Sequence, residues 1–226
     1  MSITGERDDL GGGPQKVGDA VADLFTGMYA TVAILAALRH AERTGQGQHI
    51  DMALLDTQVA MLANLGANYL VAGQFEGKVP GRMGNAHQNV VPYQVFETAP
   101  NAKGERDHMI LAVGNDGQFA KLCEVLGIPD VPTDERFIDN TTRVAHRAEL
   151  NAVLCPAIAS RAAYDLWQAL TDAGVPSGPI NTFDQAFALA ESLDLKPIIE
   201  QEVDGQLRRQ VANPISFSAT PVGYRM

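Results

Sequence analysis

The sequence predicts an α/β chain whose first part is organised by one long helix and whose middle holds a smaller α/β unit. Three observations lead there. Leu24, Met28, Val32, Leu35 and Leu38 recur at three- and four-residue steps, the spacing of one helix face. VVPYQVFET and HMILAVG are strand-like runs, and APNAKGERD between them carries the turn residues of a hairpin-type connection. Behind them apolar stripes at helical spacing return, through Phe119, Leu122, Cys123 and Leu126 and again around Trp167 and Leu170.

Taken in order, residues 1 to 17 are polar and glycine-rich, and Gly11 to Gln15 reads as a flexible turn. It is not a Walker loop, because Lys16 follows Gln15 rather than glycine and precedes Val17 rather than Ser or Thr. Asp23 stands just before the periodic run, where its carboxylate is expected to cap the first turn of the long helix. Arg39, His40 and Arg43 suit the negative end of that helix, and Gly45 and Gly47 break it. Gln48 to Ala53 alternates as a short strand, and Leu54 to Leu70 returns to helical spacing, ending near Gly73. His49 and Asp51 share a strand face without a third ligand, so they read as solvated side chains rather than a metal site. Gly77 to Asn89 is a glycine- and proline-containing loop that offers Arg82, Asn85 and His87 as polar groups.

Beyond the hairpin, Asn115 or Asp116 caps a helix that Gly127 closes, and further helices are expected over Arg143 to Ile158 and Tyr164 to Ala173. Trp167 belongs to a buried stripe, whereas His146 and Arg147 read as solvated. FDQAFALAESL is a last helix, and Asp204-Gly205 is a two-residue turn between alternating runs.

Composition narrows the function. A chain of 226 residues with 46% hydrophobic and 19% charged residues supports a substantial core. Its net charge of −10 argues against general nucleic-acid binding, which needs a basic surface, but leaves room for an anionic substrate held by a few local donors. Cys123 and Cys155 show no CxxC spacing, so neither a disulfide framework nor a thiolate metal site is expected, and the compartment that suits them is the cytoplasm. HExxH, paired CxxC and EF-hand spacings are missing, and no metal is expected. The start of the chain carries no apolar signal core, and no apolar run approaches the length needed to cross a bilayer, so no membrane partner is expected.

The wording of several segments adds a resemblance. ADLFTG, ILAAL and ERTGQGQHIDMALLD, followed by PGRMGNAH, VPYQVFET, DERFIDNTTRVAHRAEL and DAGVPSGPIN, resemble in order and spacing the landmarks of the family III CoA-transferases, the CaiB–BaiF group. The resemblance covers nearly the whole chain. It implies an interlocked homodimer in which each chain has a large CoA-binding domain, connectors and a small α/β domain. On that analogy residues 1–54 are part of the large domain with the nucleophile helix, 55–78 a connecting helix, 79–180 the small domain and 181–226 a return connector. Both ends resemble internal points of the family, so a fragment is expected.

The resemblance also implies roles. Asp23 would be the nucleophile, Leu54 would contact coenzyme A, and the loop carrying Gly84, Asn85 and His87 would close over the reacting carboxylate. The family usually has proline after the histidine, where this chain has Gln88. Acyl-CoA and a carboxylic acid would be the substrates, with no permanently bound cofactor. Two alternatives stand beside the transferase: an α-methylacyl-CoA racemase-like enzyme, whose aspartate is typically followed by a run of glycines unlike the LFTG here, and a non-catalytic assembly subunit.

Overall fold

A computed structural model describes residues 3–77, 79–101 and 103–224. Lys78 of the glycine-containing loop and Ala102 of the hairpin connection lie outside the described residues. The chain forms two compact units, Met1–Val90 and Val91–Met226.

The first unit is helical. Its long helix, α1 (Val21–Thr44), ends where Gly45 takes φ 72° and returns its N–H to the Ala41 carbonyl at 2.8 Å, a left-handed stop that a side chain would resist. Its start corrects the sequence reading. Ala20 is the cap residue and Asp23 is the third residue of the helix, so the carboxylate lies inside the first turn instead of preceding it. Apolar periodicity marks only where an apolar face begins, and the backbone coils three residues earlier.

Gln48 to Ala53 forms no strand. A strand is defined by its hydrogen-bonded neighbour, and both described sheets lie in the second unit. The helix expected over Leu54 to Leu70 is broken into α2 (Leu54–Ala60), α3 (Ala63–Ala67), a π-helical turn (Asn68–Ala72) and α4 (Gly73–Glu76). Ala63 at φ 40° interrupts the ladder, Gly73 stays helical at φ −59°, and Gly77 at φ 63° ends the run. Side-chain spacing reports which face is apolar and is blind to a slip in hydrogen-bond register.

The large apolar residues of α1 remain exposed, among them Leu24, Met28, Val32, Leu35 and Leu38. Its 24 residues reach a window hydropathy of 1.7, long and apolar enough by length and composition to cross a membrane. That corrects the expectation that no segment reaches this length, because the interspersed Gly and Thr interrupt an apolar run without lowering its average much.

The second unit holds the core. Strands β1 (Tyr93–Pro100) and β2 (Arg106–Ala112) pair antiparallel with Tyr93 opposite Ala112, as the two strand-like runs predict. Helices α5 (Asp116–Val125), α6 (Asn140–Ala145), α7 (Arg147–Ala159) and α8 (Ala163–Asp172) follow. Asn115 caps α5 by accepting the Gln118 N–H at 2.9 Å, and Gly127 follows it at φ 74°. The single helix expected over Arg143 to Ile158 is two, separated at His146, whose φ −108° and ψ 32° leave the helical region. Asp139 starts the first of them with a reciprocal capping pair to Thr142. A short strand that periodicity does not reveal, β3 (Ser177–Pro179), adds to the free edge of β2.

Met109, Leu111, Phe119, Leu122, Leu154 and Leu170 are fully or almost fully buried in one cluster between sheet and helices. Then come α9 (Phe183–Ser192) and a hairpin of β4 (Ile198–Val203) and β5 (Gln206–Val211). Its turn residues, Asp204 at φ 52° and Gly205 at φ 73°, are both left-handed, as a tight hairpin turn requires.

Candidate functional site

The first turn of α1 opens onto a cleft of about 430 Å³ whose walls include Ile3, Thr4, Lys16, Asp19, Asp23 and Gln58. Helix geometry explains the placement of Asp23. The first bond of the helix runs from the Leu24 N–H to the Ala20 carbonyl at 3.1 Å, so the N–H groups of Val21, Ala22 and Asp23 precede the ladder. Those three residues line the same cleft. An anion there meets the positive end of a 24-residue helix. Asp23 is exposed, and among the described residues no donor engages its carboxylate. It makes no capping hydrogen bond to the helix.

Opposite charge comes from Lys16. Its Nζ donates to the Val17 carbonyl at 2.8 Å and reaches those of Gly18 and Asp19 at 3.4 Å, which wraps residues 16–19 around the cation beside the helix start. Thr4 and Gln15 exchange backbone and side-chain hydrogen bonds, with Gln15 N–H to Thr4 O at 2.9 Å, and tie the beginning of the chain to this segment.

A second hollow, of about 160 Å³, lies in the same unit and shares Ile3 with the first. Asn64, Leu65, Gly84, His87 and Gln88 are among its lining residues. Gly84 stands at φ 61°, a left-handed conformation that favours glycine, and a Cβ there would come within 2.6 Å of the Glu6 Oε1 and displace the end of that side chain. The His87 ring lies 3.3 Å from the Asn64 amide, and its Nδ1 accepts the Asn89 N–H at 3.0 Å. Asn68 holds the end of the loop by exchanging amide hydrogen bonds with Asn89 at 2.9 and 3.1 Å.

Of the residues singled out from sequence, Asp23, Gly84 and His87 are thus brought to two hollows with a common wall. Asn85 is exposed and lines neither. Leu54, the first residue of α2, is 48% exposed and also lines neither; its neighbours Ala53 and Asp56 border a separate hollow of about 330 Å³ with Tyr29 and Ile50. Ile3, Glu6 and Gln58 carry no local motif and enter the site only through the fold. Among the described residues no group of three or more His, Cys, Asp or Glu is placed to hold a metal ion.

The family model described as CoA-transferase family III matches residues 1–226. A succinate–glutarate CoA-transferase of Agrobacterium fabrum is 47% identical over 226 residues, 99% of this chain and 53% of the relative. A succinyl-CoA:glutarate CoA-transferase of Mus musculus is 38% identical over 193 residues, 85% of this chain and 41% of the relative. Among solved structures, a CaiB/BaiF family protein from Brucella suis matches with a TM-score of 0.70 at 44% identity, covering 98% of this chain and 54% of its own. The chain spans about half the length of the curated relatives it matches.

Proposed function

The chain belongs to CoA-transferase family III, and on that premise we propose that the protein containing it transfers coenzyme A from an acyl-CoA to a free carboxylic acid, with Asp23 as nucleophile. The observation that carries the proposal is the Asp23 carboxylate, exposed and unengaged among the described residues, in a cleft at the first turn of a 24-residue helix.

In the proposed chemistry an Asp23 oxygen adds to the thioester carbonyl of the donor, and the C–S bond breaks to leave a mixed anhydride and CoA thiolate. The thiolate then attacks the Asp23 carbonyl of the anhydride, releasing the donor acid and leaving an aspartyl-CoA thioester. An acceptor carboxylate reverses the two steps and restores Asp23. Each addition puts negative charge on a carbonyl oxygen, and the N–H groups at the start of α1 are oriented to stabilise it. Transfer succeeds only where water is kept from the anhydride, which is the role proposed for the loop of Gly84, Asn85 and His87. Leu54 is proposed to give coenzyme A an apolar contact at the start of α2.

The named activities of the two relatives support short dicarboxylates of four and five carbons as donor and acceptor. The proposal extends to a cytoplasmic, interlocked homodimer that binds neither nucleic acid nor membrane. Hydroxylamine added during turnover of the full-length protein should convert Asp23 to its hydroxamate, read by peptide mass spectrometry. Label on another residue, or full activity in Asp23→Asn, would overturn the assignment.

A further inference from the structure

We propose that Arg82 is a positioning residue that fastens the Gly84 to His87 loop to the beginning of the chain and so keeps the two hollows joined through Ile3. The inference rests on the transferase reading above. Arg82 is the buried member of an ion pair with Asp8: its side chain is 8% exposed, that of Asp8 78%. Its Nε also donates to the Glu6 carbonyl at 3.2 Å. The grip is two-sided, because the Glu6 carboxylate lies against Gly84, only 2.6 Å from where a Cβ would stand. A Cβ on Gly5 would in turn strike the Gly13 carbonyl and come 3.2 Å from the Arg82 Cδ. Residues 5–8 and 82–84 are therefore joined through the Arg82 guanidinium, which holds the Glu6 carbonyl and the Asp8 carboxylate, and through the Glu6 side chain against Gly84.

The consequence is mechanical. Glu6 and Arg82 are separated by 76 positions, yet the short segment that they immobilise also supplies Ile3 to both hollows and Thr4 to the Asp23 cleft. A planar guanidinium with several fixed donors suits this work, since its separate nitrogens hold a carbonyl and a carboxylate at once in a fixed fork geometry. Losing the grip frees the loop and the wall together, and opens the Asp23 anhydride to water. Water oxygen then adds to the acyl carbonyl, the bond from acyl carbon to Asp23 oxygen breaks, and the free acid, the Asp23 carboxylate and a proton result. The CoA thiolate leaves as the thiol. The net side reaction is acyl-CoA hydrolysis.

The test uses the full-length protein with succinyl-CoA and glutarate, and measures in one assay the glutaryl-CoA formed and the total succinyl-CoA consumed. In Arg82→Gln the ratio of hydrolysis to transfer should rise roughly tenfold, the equivalent of one charge-assisted hydrogen bond, with hydroxylamine labelling of Asp23 retained. Arg82→Lys should fall between the two. Asp8→Asn, at an exposed position, should raise the ratio in the same direction and serves if Arg82→Gln does not fold. An unchanged ratio in Asp8→Asn and in whichever Arg82 variants fold, or parallel losses of hydrolysis and transfer, would overturn the role of Arg82. Missing Asp23 label in the unmodified protein would instead overturn the transferase reading.

Discussion

The Asn89 N–H donates to Nδ1 of His87 at 3.0 Å, which settles the chemistry of the histidine ring. A nitrogen that accepts carries no proton, so the neutral ring bears its hydrogen on Nε2, facing the Asn64 amide at 3.3 Å. The Asn64 atom nearest that Nε2 is the amide nitrogen, and turning the amide about its terminal bond brings its oxygen to the ring and satisfies both partners. We expect His87→Ala to lower kcat by about tenfold or more in the full-length protein with little change in KM for acyl-CoA, and Asn64→Ala to have a smaller effect of the same kind. Steady-state kinetics with both substrates varied would check this; a change confined to KM would assign His87 to binding.

Gly84→Val tests the neighbouring turn. The substitution meets both a left-handed backbone and the Glu6 carboxylate. Transfer should slow by more than CoA binding weakens, with binding read by calorimetry. Equal losses would make the loop part of the CoA site, and unchanged kinetics would make it a connector.

Arg143 anchors the second unit. Its guanidinium is 1% exposed, donating to the Val91 carbonyl at 2.8 Å, the Phe137 carbonyl at 3.1 Å and the Asp116 carboxylate at 2.7 Å, and it lies 4.5 Å from the Phe119 ring centre. Removing it leaves two carbonyls without that donor. Arg143→Ala should destabilise the protein by about 3–5 kcal/mol, whereas Asp116→Asn, at the exposed end of the same pair, should cost about 1 kcal/mol or less. Urea unfolding of the two variants gives the comparison.

Burial pushes the Cys123 thiol up to about 12, against a smaller opposing pull from the Arg143 charge. The folded state therefore keeps its proton where the unfolded chain, with an ordinary value near 9.0, gives it up. Stability from this group is complete below pH 9 and is lost as pH rises toward 12. Unfolding followed from pH 8 to 11 should show that decline, and Cys123→Ala should flatten it. Iodoacetamide at pH 8 should label the exposed Cys155 ahead of Cys123 until the protein unfolds.

Expressed alone, the 226-residue chain should associate. Leu24, Met28, Val32, Leu35 and Leu38 stand exposed on one helix, and each leaves on the order of 1.5–3 kcal/mol of burial unrealised. Limited proteolysis should spare residues 91–180, where the core lies, and cut residues 1–90 first. The small domain read from sequence as 79–180 should thus yield a fragment beginning near Val91. A monomer by sizing chromatography, protected evenly along its length, would contradict both expectations.

What the chain determines by itself is whatever neighbouring residues settle between them. The end of α1 at Gly45, the Asn115 cap, the β1–β2 pairing and the Asp204-Gly205 turn depend on side chains within a few positions, so local sequence suffices to read them. The family was legible for a related reason, as its landmarks are short segments that keep their wording. Hydrogen-bond register is different. The break at Ala63, the division at His146 and the addition of β3 to β2 follow from how distant surfaces fit, and apolar spacing carries no trace of them. The candidate site divides along the same line. Asp23 announces itself beside a helix start, but its place inside the first turn, the shared wall at Ile3 and the hold of Arg82 on Glu6 and Asp8 exist only once segments some 75 positions apart are folded together.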